Sequence, residues 1–109
     1  MTVKELAQGL ELKEFCAGDP AREVTGGYCG DLLSWVMGRA GEGCAWLTIM
    51  SNVNVAAVAA LTDAACVILT EGVEPDPDLA KRAAQQGIAL LGTDLSTYAC
   101  AVRLAEVLK

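Results

Sequence analysis

Ala45-Trp46-Leu47-Thr48-Ile49-Met50-Ser51-Asn52 is the stretch on which the fold turns. Its first six residues carry no charge and are almost all apolar, as in a strand covered on both faces. Ser51 and Asn52 follow at once as helix starters. Residues 53–61, rich in Val and Ala on every side, predict a helix through about Leu61. A second buried strand is expected at 65–70, so residues 45–70 read as one βαβ unit.

The same alternation continues outward. Asp76 before Pro77 places an N-cap ahead of proline at the first helical position, and that helix runs to Gln86 with Gly87 beyond its end. A short apolar strand is expected at 88–91. Asp94 or Ser96 caps a last helix, whose apolar face is read from Leu95, Tyr98, Ala99, Val102 and Ala105. Towards the amino terminus, Thr2 and Glu5 form a capping-box pattern for a helix over 2–9, followed by a short strand within 11–16 and turn chemistry at 17–20. Residues 25–30 read as a glycine-rich loop, and Asp31 as the N-cap of a helix to about Arg39 with Leu32, Leu33, Val36 and Met37 on one face. The fold class is therefore α/β: a single domain over 1–109, a mainly parallel β-sheet with helices on both faces and βαβ crossovers.

Composition narrows the chemistry. The 109 residues are 53% hydrophobic and hold 14 acidic against 8 basic side chains, a net charge of −6. A phosphate backbone would be repelled, and the basic residues form no cluster, which excludes nucleic acid as a partner. No apolar run approaches the ~20 residues of a membrane helix, and the amino terminus lacks a signal-peptide layout; the expected location is the cytoplasm. There is no histidine, which removes the commonest general base and the commonest metal ligand together. The five cysteines include no CxxC pair and match no zinc or iron–sulfur spacing. No metal, no cofactor and no enzymatic activity are expected. Cys29 alone, inside the glycine-rich stretch, is a thiol to watch for redox activity.

Arg22-Glu23-Val24-Thr25-Gly26-Gly27-Tyr28-Cys29-Gly30-Asp31-Leu32-Leu33-Ser34 resembles the signature of the DRTGG domain, named for its Asp-Arg-Thr-Gly-Gly pentapeptide. The resemblance continues through Thr48-Ile49-Met50, the Asn-containing start of the next helix, Leu69-Thr70-Glu71-Gly72 and Leu91-Gly92-Thr93-Asp94-Leu95-Ser96, covering roughly residues 1–107. Glu23-Val24 stand where the pentapeptide has Asp-Arg, so a role for that arginine does not transfer. Such domains resemble the N-terminal domain of HPr kinase/phosphorylase and regions of phosphate acetyltransferases and CBS-domain pyrophosphatases. The resemblance implies a free-standing, non-catalytic regulatory or adaptor module, a homodimer acting with a separately encoded metabolic or redox enzyme.

Ligands of parallel sheets sit beyond the carboxyl ends of the strands, at a switch point in strand order. Thr25, Gly26, Gly27, Asn52, Asn54, Thr70, Glu71, Thr93 and Asp94 are expected to gather at that edge. Small side chains, glycines and helix N-termini would suit a nucleotide or phosphorylated metabolite, or would merely be turns and caps. The other reading is an interaction surface. The helix over 53–61 has almost no polar face, and Trp35, Val55 and Val58 are the candidate interface residues.

Overall fold

A computed structural model describes residues 1–108. Its five helices are α1 (Val3–Gly9), α2 (Leu33–Arg39), α3 (Asn54–Thr62), α4 (Pro77–Gln86) and α5 (Thr97–Val107), and its five strands are β1 (Lys13–Cys16), β2 (Gly26–Cys29), β3 (Cys44–Thr48), β4 (Cys66–Leu69) and β5 (Leu90–Gly92). The strands form one sheet in the order β1-β5-β4-β3-β2. Strands β2 to β5 are parallel in sequence order, and β1 closes the far edge antiparallel to β5.

That order decides where the helices go. A chain that steps repeatedly in one direction with crossovers of one hand leaves every crossover helix on one face. Val36 of α2, Val55 and Val58 of α3 and Leu79 and Ala83 of α4 accordingly share one core with Trp46, Val67, Leu69 and Leu90. On the opposite face α1 and α5 supply Val3, Leu6, Cys100 and Leu104 against Ala45, Leu47, Cys66, Ile68 and Leu91. Successive strand residues thus feed opposite cores, as the pleat requires. This is why β3, β4 and β5 are buried along their whole length.

Local chemistry explains several element ends. Thr2 and Glu5 exchange bonds as a capping box at α1. Gly87 ends α4 at φ +68°, a left-handed position that favours glycine.

Several expectations change. Residues 26–29 are a strand, not part of a loop: parallel pairing with β3 orders them despite the two glycines. Asp31 does not cap α2, which begins at Leu33 without a side-chain cap; its Oδ1 instead accepts from Thr48 Oγ1 (2.8 Å) and the Ile49 N–H (2.9 Å). Helix α3 starts later than Ser51, with Val53 at its N-cap, while Asn52 Oδ1 accepts from the Asn54 N–H. The buried face of α5 is Cys100 and Leu104, and the stripe that includes Tyr98 and Val102 turns outward. Helix α3, though it has almost no polar face, leaves Ala57, Ala60 and Leu61 exposed.

Candidate functional site

The carboxyl ends of β3, β4 and β5 bring Ser51, Asn52, Asn54, Thr70, Glu71, Thr93 and Asp94 to one edge of the sheet. Thr25, Gly26 and Gly27 are not there. Because β2 is parallel to β3 with Gly26 opposite Cys44, the Thr-Gly-Gly segment lies at the amino edge, across the sheet from the rest. Thr25 is tied there by its N–H to the Gly43 carbonyl and by Oγ1 to the Glu42 carbonyl, both at 2.9 Å. The residues that β2 does deliver to the carboxyl edge are Gly30 and Asp31. The run β2 to β5 contains no reversal, so no crevice opens between strands whose crossovers part to opposite faces.

The edge itself is tightly bonded. Thr70 is followed by a two-residue turn with Glu71 at φ +62° and Gly72 at φ +74°, closed by the Val73 N–H on the Thr70 carbonyl (3.1 Å). That turn swings Glu71 against the start of α5, where its Oε2 accepts the Thr97 N–H at 3.1 Å. Ser96 Oγ accepts the Ala99 N–H, and Thr70 and Thr97 share a 2.6 Å hydroxyl bond. Two of the N–H groups at the start of α5 that could greet an anion, those of Thr97 and Ala99, are therefore already engaged by a carboxylate and a serine. Thr93 is engaged too: its Oγ1 accepts the Leu95 N–H, and its carbonyl the Gly72 N–H.

Open space lies elsewhere. A groove of about 370 Å³ beside the start of α3 is lined by Val53, Asp78, Lys81, Arg82 and Gln85. It adds two cations next to the Asn52–Asn54 segment, and neither takes part in an ion pair among the described residues. A lysine within a helix is ordinarily a solvated charge; the signal against that here is the spacing of Asp78, Lys81, Arg82 and Gln85 on one side of α4. A larger cleft of about 640 Å³ runs between α1 and β1, with Val3, Ala7, Leu12 and Leu91 among its walls and Lys4, Gln8, Glu11 and Glu14 at its rim.

Of the three interface candidates, Val55 and Val58 are core residues beneath α3 and reach no surface, because α3 packs that side on the sheet. Trp35 alone is exposed, with the Arg39 guanidinium stacked 3.8 Å from its ring centroid.

All five thiols are free and all are pushed above the ordinary thiol pKa. For Cys66 burial raises it to about 12. For Cys29 burial leads and the neighbouring Asp31 carboxylate adds. The thiolate at Cys29 is thus disfavoured. Among the described residues no three His, Cys, Asp or Glu side chains gather as a metal site, and no helix is long and apolar enough to cross a membrane.

The family profile of the DRTGG domain matches residues 37–107. The chain belongs to the DRTGG domain family. The matched span begins at Met37, past Thr25-Gly26-Gly27, so membership of this DRTGG domain rests on β3 to α5. Its fold is also that of a solved structure, the CBS and DRTGG domains of the regulatory region of Clostridium perfringens pyrophosphatase complexed with the activator diadenosine tetraphosphate. The two agree with a TM-score of 0.72 at 11% identity, over 94% of this chain and 45% of that one. The chain therefore spans less than half of that regulatory region. None of the curated proteins matches it.

Proposed function

We propose that this DRTGG domain is a non-catalytic regulatory or adaptor module that works as a homodimer with a separately encoded enzyme. The observation that carries the reading is the placement of exposed apolar side chains. Leu32, Trp35, Tyr98 and Val102 lie on α5 and around α2, the two helices beside the free edge of β2. Other large apolar side chains are exposed elsewhere, Leu61 at the end of α3 among them, but these four flank one open strand edge, as suits a contact surface. The absence of histidine from the sequence and the raised pKa of every thiol support a non-catalytic role. Five free thiols suit a reducing compartment, and we assign the protein to the cytoplasm on that ground. Sedimentation velocity over a range of micromolar concentrations tests the reading: twice the mass of one chain is expected, and a strict monomer throughout would overturn it.

The second reading is a ligand-sensing domain, favoured by the groove that joins Lys81 and Arg82 to the Asn52–Asn54 segment. The pyrophosphatase regulatory region with the same fold is complexed with a nucleotide activator. A thermal-shift series with diadenosine tetraphosphate, AMP and inorganic phosphate separates the two readings. A rise in Tm that Arg82→Ala abolishes supports sensing, and no shift with any of the three counts against it.

A further inference from the structure

The two edges of the sheet are built differently. At β1 the pairing register slips between Glu14 and Cys16, and Lys13 and Glu14 are exposed. Charge and irregularity are the usual protections of an edge strand. At the other edge β2 reads Gly26-Gly27-Tyr28-Cys29, without a charge or a slip. The backbone of β3 shows which of its groups are free. Cys44 and Thr48 accept from Ala65 and Thr70 on the β4 side, and the Leu47 carbonyl accepts from Gly30 on the β2 side. Backbone groups alternate sides along a strand. Gly26, Tyr28 and Gly30 therefore face β3, and Gly27 and Cys29 present their N–H and carbonyl groups to the open edge.

Apolar surface surrounds that edge. Leu32 is 58% exposed and Trp35 53% at the α2 side; Tyr98 is 80% and Val102 41% exposed on α5, which packs over β2. Gly26 adds a further sign. Its φ is not positive, and a Cβ there would meet nothing within 4 Å. The space beside Gly26 is unfilled by the chain itself, so a second backbone can draw close there.

We infer that the β2 edge is the dimer seam, and that its occupant is the β2 edge of a second copy. This rests on the dimeric reading above and names its surface. A two-fold axis makes the paired strands antiparallel. Centred on Tyr28, the pairing lets Gly27 and the partner's Cys29 exchange both N–H···O=C bonds, and Cys29 and the partner's Gly27 do the same. Antiparallel pairing also sets the amino end of one protomer beside the carboxyl end of the other. Arg39, at the amino end of the sheet, then faces the partner's Asp31, at the carboxyl end. Both charges are free of ion pairs among the described residues, and only one oxygen of Asp31 accepts hydrogen bonds there. Because β1 is guarded, adding one copy leaves no open edge and the assembly stops at two.

Cys29→Pro removes an outward N–H while leaving the ladder to β3 whole, a position where proline is tolerated. It takes two hydrogen bonds from the dimer, and the expected result is a dissociation constant raised about thirtyfold. Trp35→Glu, which leaves the strand untouched, is the companion variant and is expected to weaken the dimer by tenfold or more on the order of a lost apolar anchor. Far-UV circular dichroism reports the fold of each, and sedimentation reports mass. If the wild type is a dimer and either folded variant shifts to monomer, the seam stands. If both fold and both remain dimers, the seam lies elsewhere and this inference fails while the dimeric reading survives. If the wild type is a monomer, both fail. If Cys29→Pro does not fold, Trp35→Glu decides alone.

Discussion

The guanidinium of Arg22 holds Asp63 at three points: both carboxylate oxygens at 3.0 Å and the backbone carbonyl at 3.1 Å. Asp63 closes α3 in the left-handed region, at φ +54°. The clamp thus joins the segment before β2 to the end of α3. The Arg22 hydrogen bond pulls the Asp63 carboxyl below its ordinary value of 3.8. A lowered carboxylate pKa stabilises the fold above the unfolded value, and the contribution fades as pH falls through the folded one. Asp63→Asn should therefore be less stable than wild type in urea at neutral pH and equal to it near pH 2. The step is small, because the pair is solvated. A gap unchanged by acid would contradict the charge-based account.

Glu11 occupies a position made for glycine. After α1 the Glu11 N–H bonds the Gln8 carbonyl and the Leu12 N–H bonds the Ala7 carbonyl, a Schellman closure with Glu11 at φ +54°. Glu11→Gly should stabilise the protein by about 0.5–1 kcal/mol, the relief of left-handed strain less the added freedom of the unfolded chain. Gly87→Ala is the mirror test. With φ +68° and no atom near the new Cβ, it should cost about 1 kcal/mol from strain alone. Both are read by chemical denaturation.

Trp46 is fully buried, and its Nε1 donates to the Gly30 carbonyl at 2.9 Å, so the indole pins the end of β2 to β3. Trp46→Phe should cost about 2–4 kcal/mol, from the lost bond, the orphaned carbonyl and the space vacated. A loss below about 1 kcal/mol would mean that water replaces the indole without difficulty.

Thiol labelling separates burial from reactivity. Cys66, pushed to about 12 by burial, should label only as fast as the chain unfolds. Cys29 should react more slowly than a free cysteine at neutral pH and accelerate above the ordinary thiol range. Rapid labelling of Cys29 at neutral pH would favour a redox role.

The Glu71 carboxylate and Ser96 together close the start of α5. Ser96→Ala should cost about 1 kcal/mol. Glu71→Ala should cost about as much as a lost neutral-to-charged hydrogen bond, roughly 1–2 kcal/mol. Their double variant should fall short of the sum, since both act on one helix end. Urea midpoints check all three.

Much of this architecture is legible from short-range chemistry. The capping box at Thr2 and Glu5, the proline at 77, the glycine at 87 and the uncharged runs of β3 and β4 all depend on residues within a few positions of one another. What escapes the sequence depends on distant partners. Two glycines in four residues give β2 no periodicity, and only the company of β3 orders it. Asp31 has the side chain of a cap, yet Thr48 and Ile49 offer it a better use. The stripe of Tyr98 and Val102 fits a helical period as well as Cys100 and Leu104 do, and only the sheet beneath selects between them. The candidate site divides for the same reason. Whether Thr25 lies at the edge of Thr70 or opposite it follows from the direction of β2, which no nearby residue records.

The antiparallel strand β1 has a consequence for the order of assembly. Glu14 pairs with Leu91, residues at opposite ends of the chain. At 5–20 residues per second, a ribosome needs on the order of 4–15 s to deliver the second after the first. The parallel unit of β2 to β4 can form during that interval, while the Lys13–Cys16 segment waits without a mate. Once β5 emerges, its bare flank is covered by a strand that was made first and is fitted last.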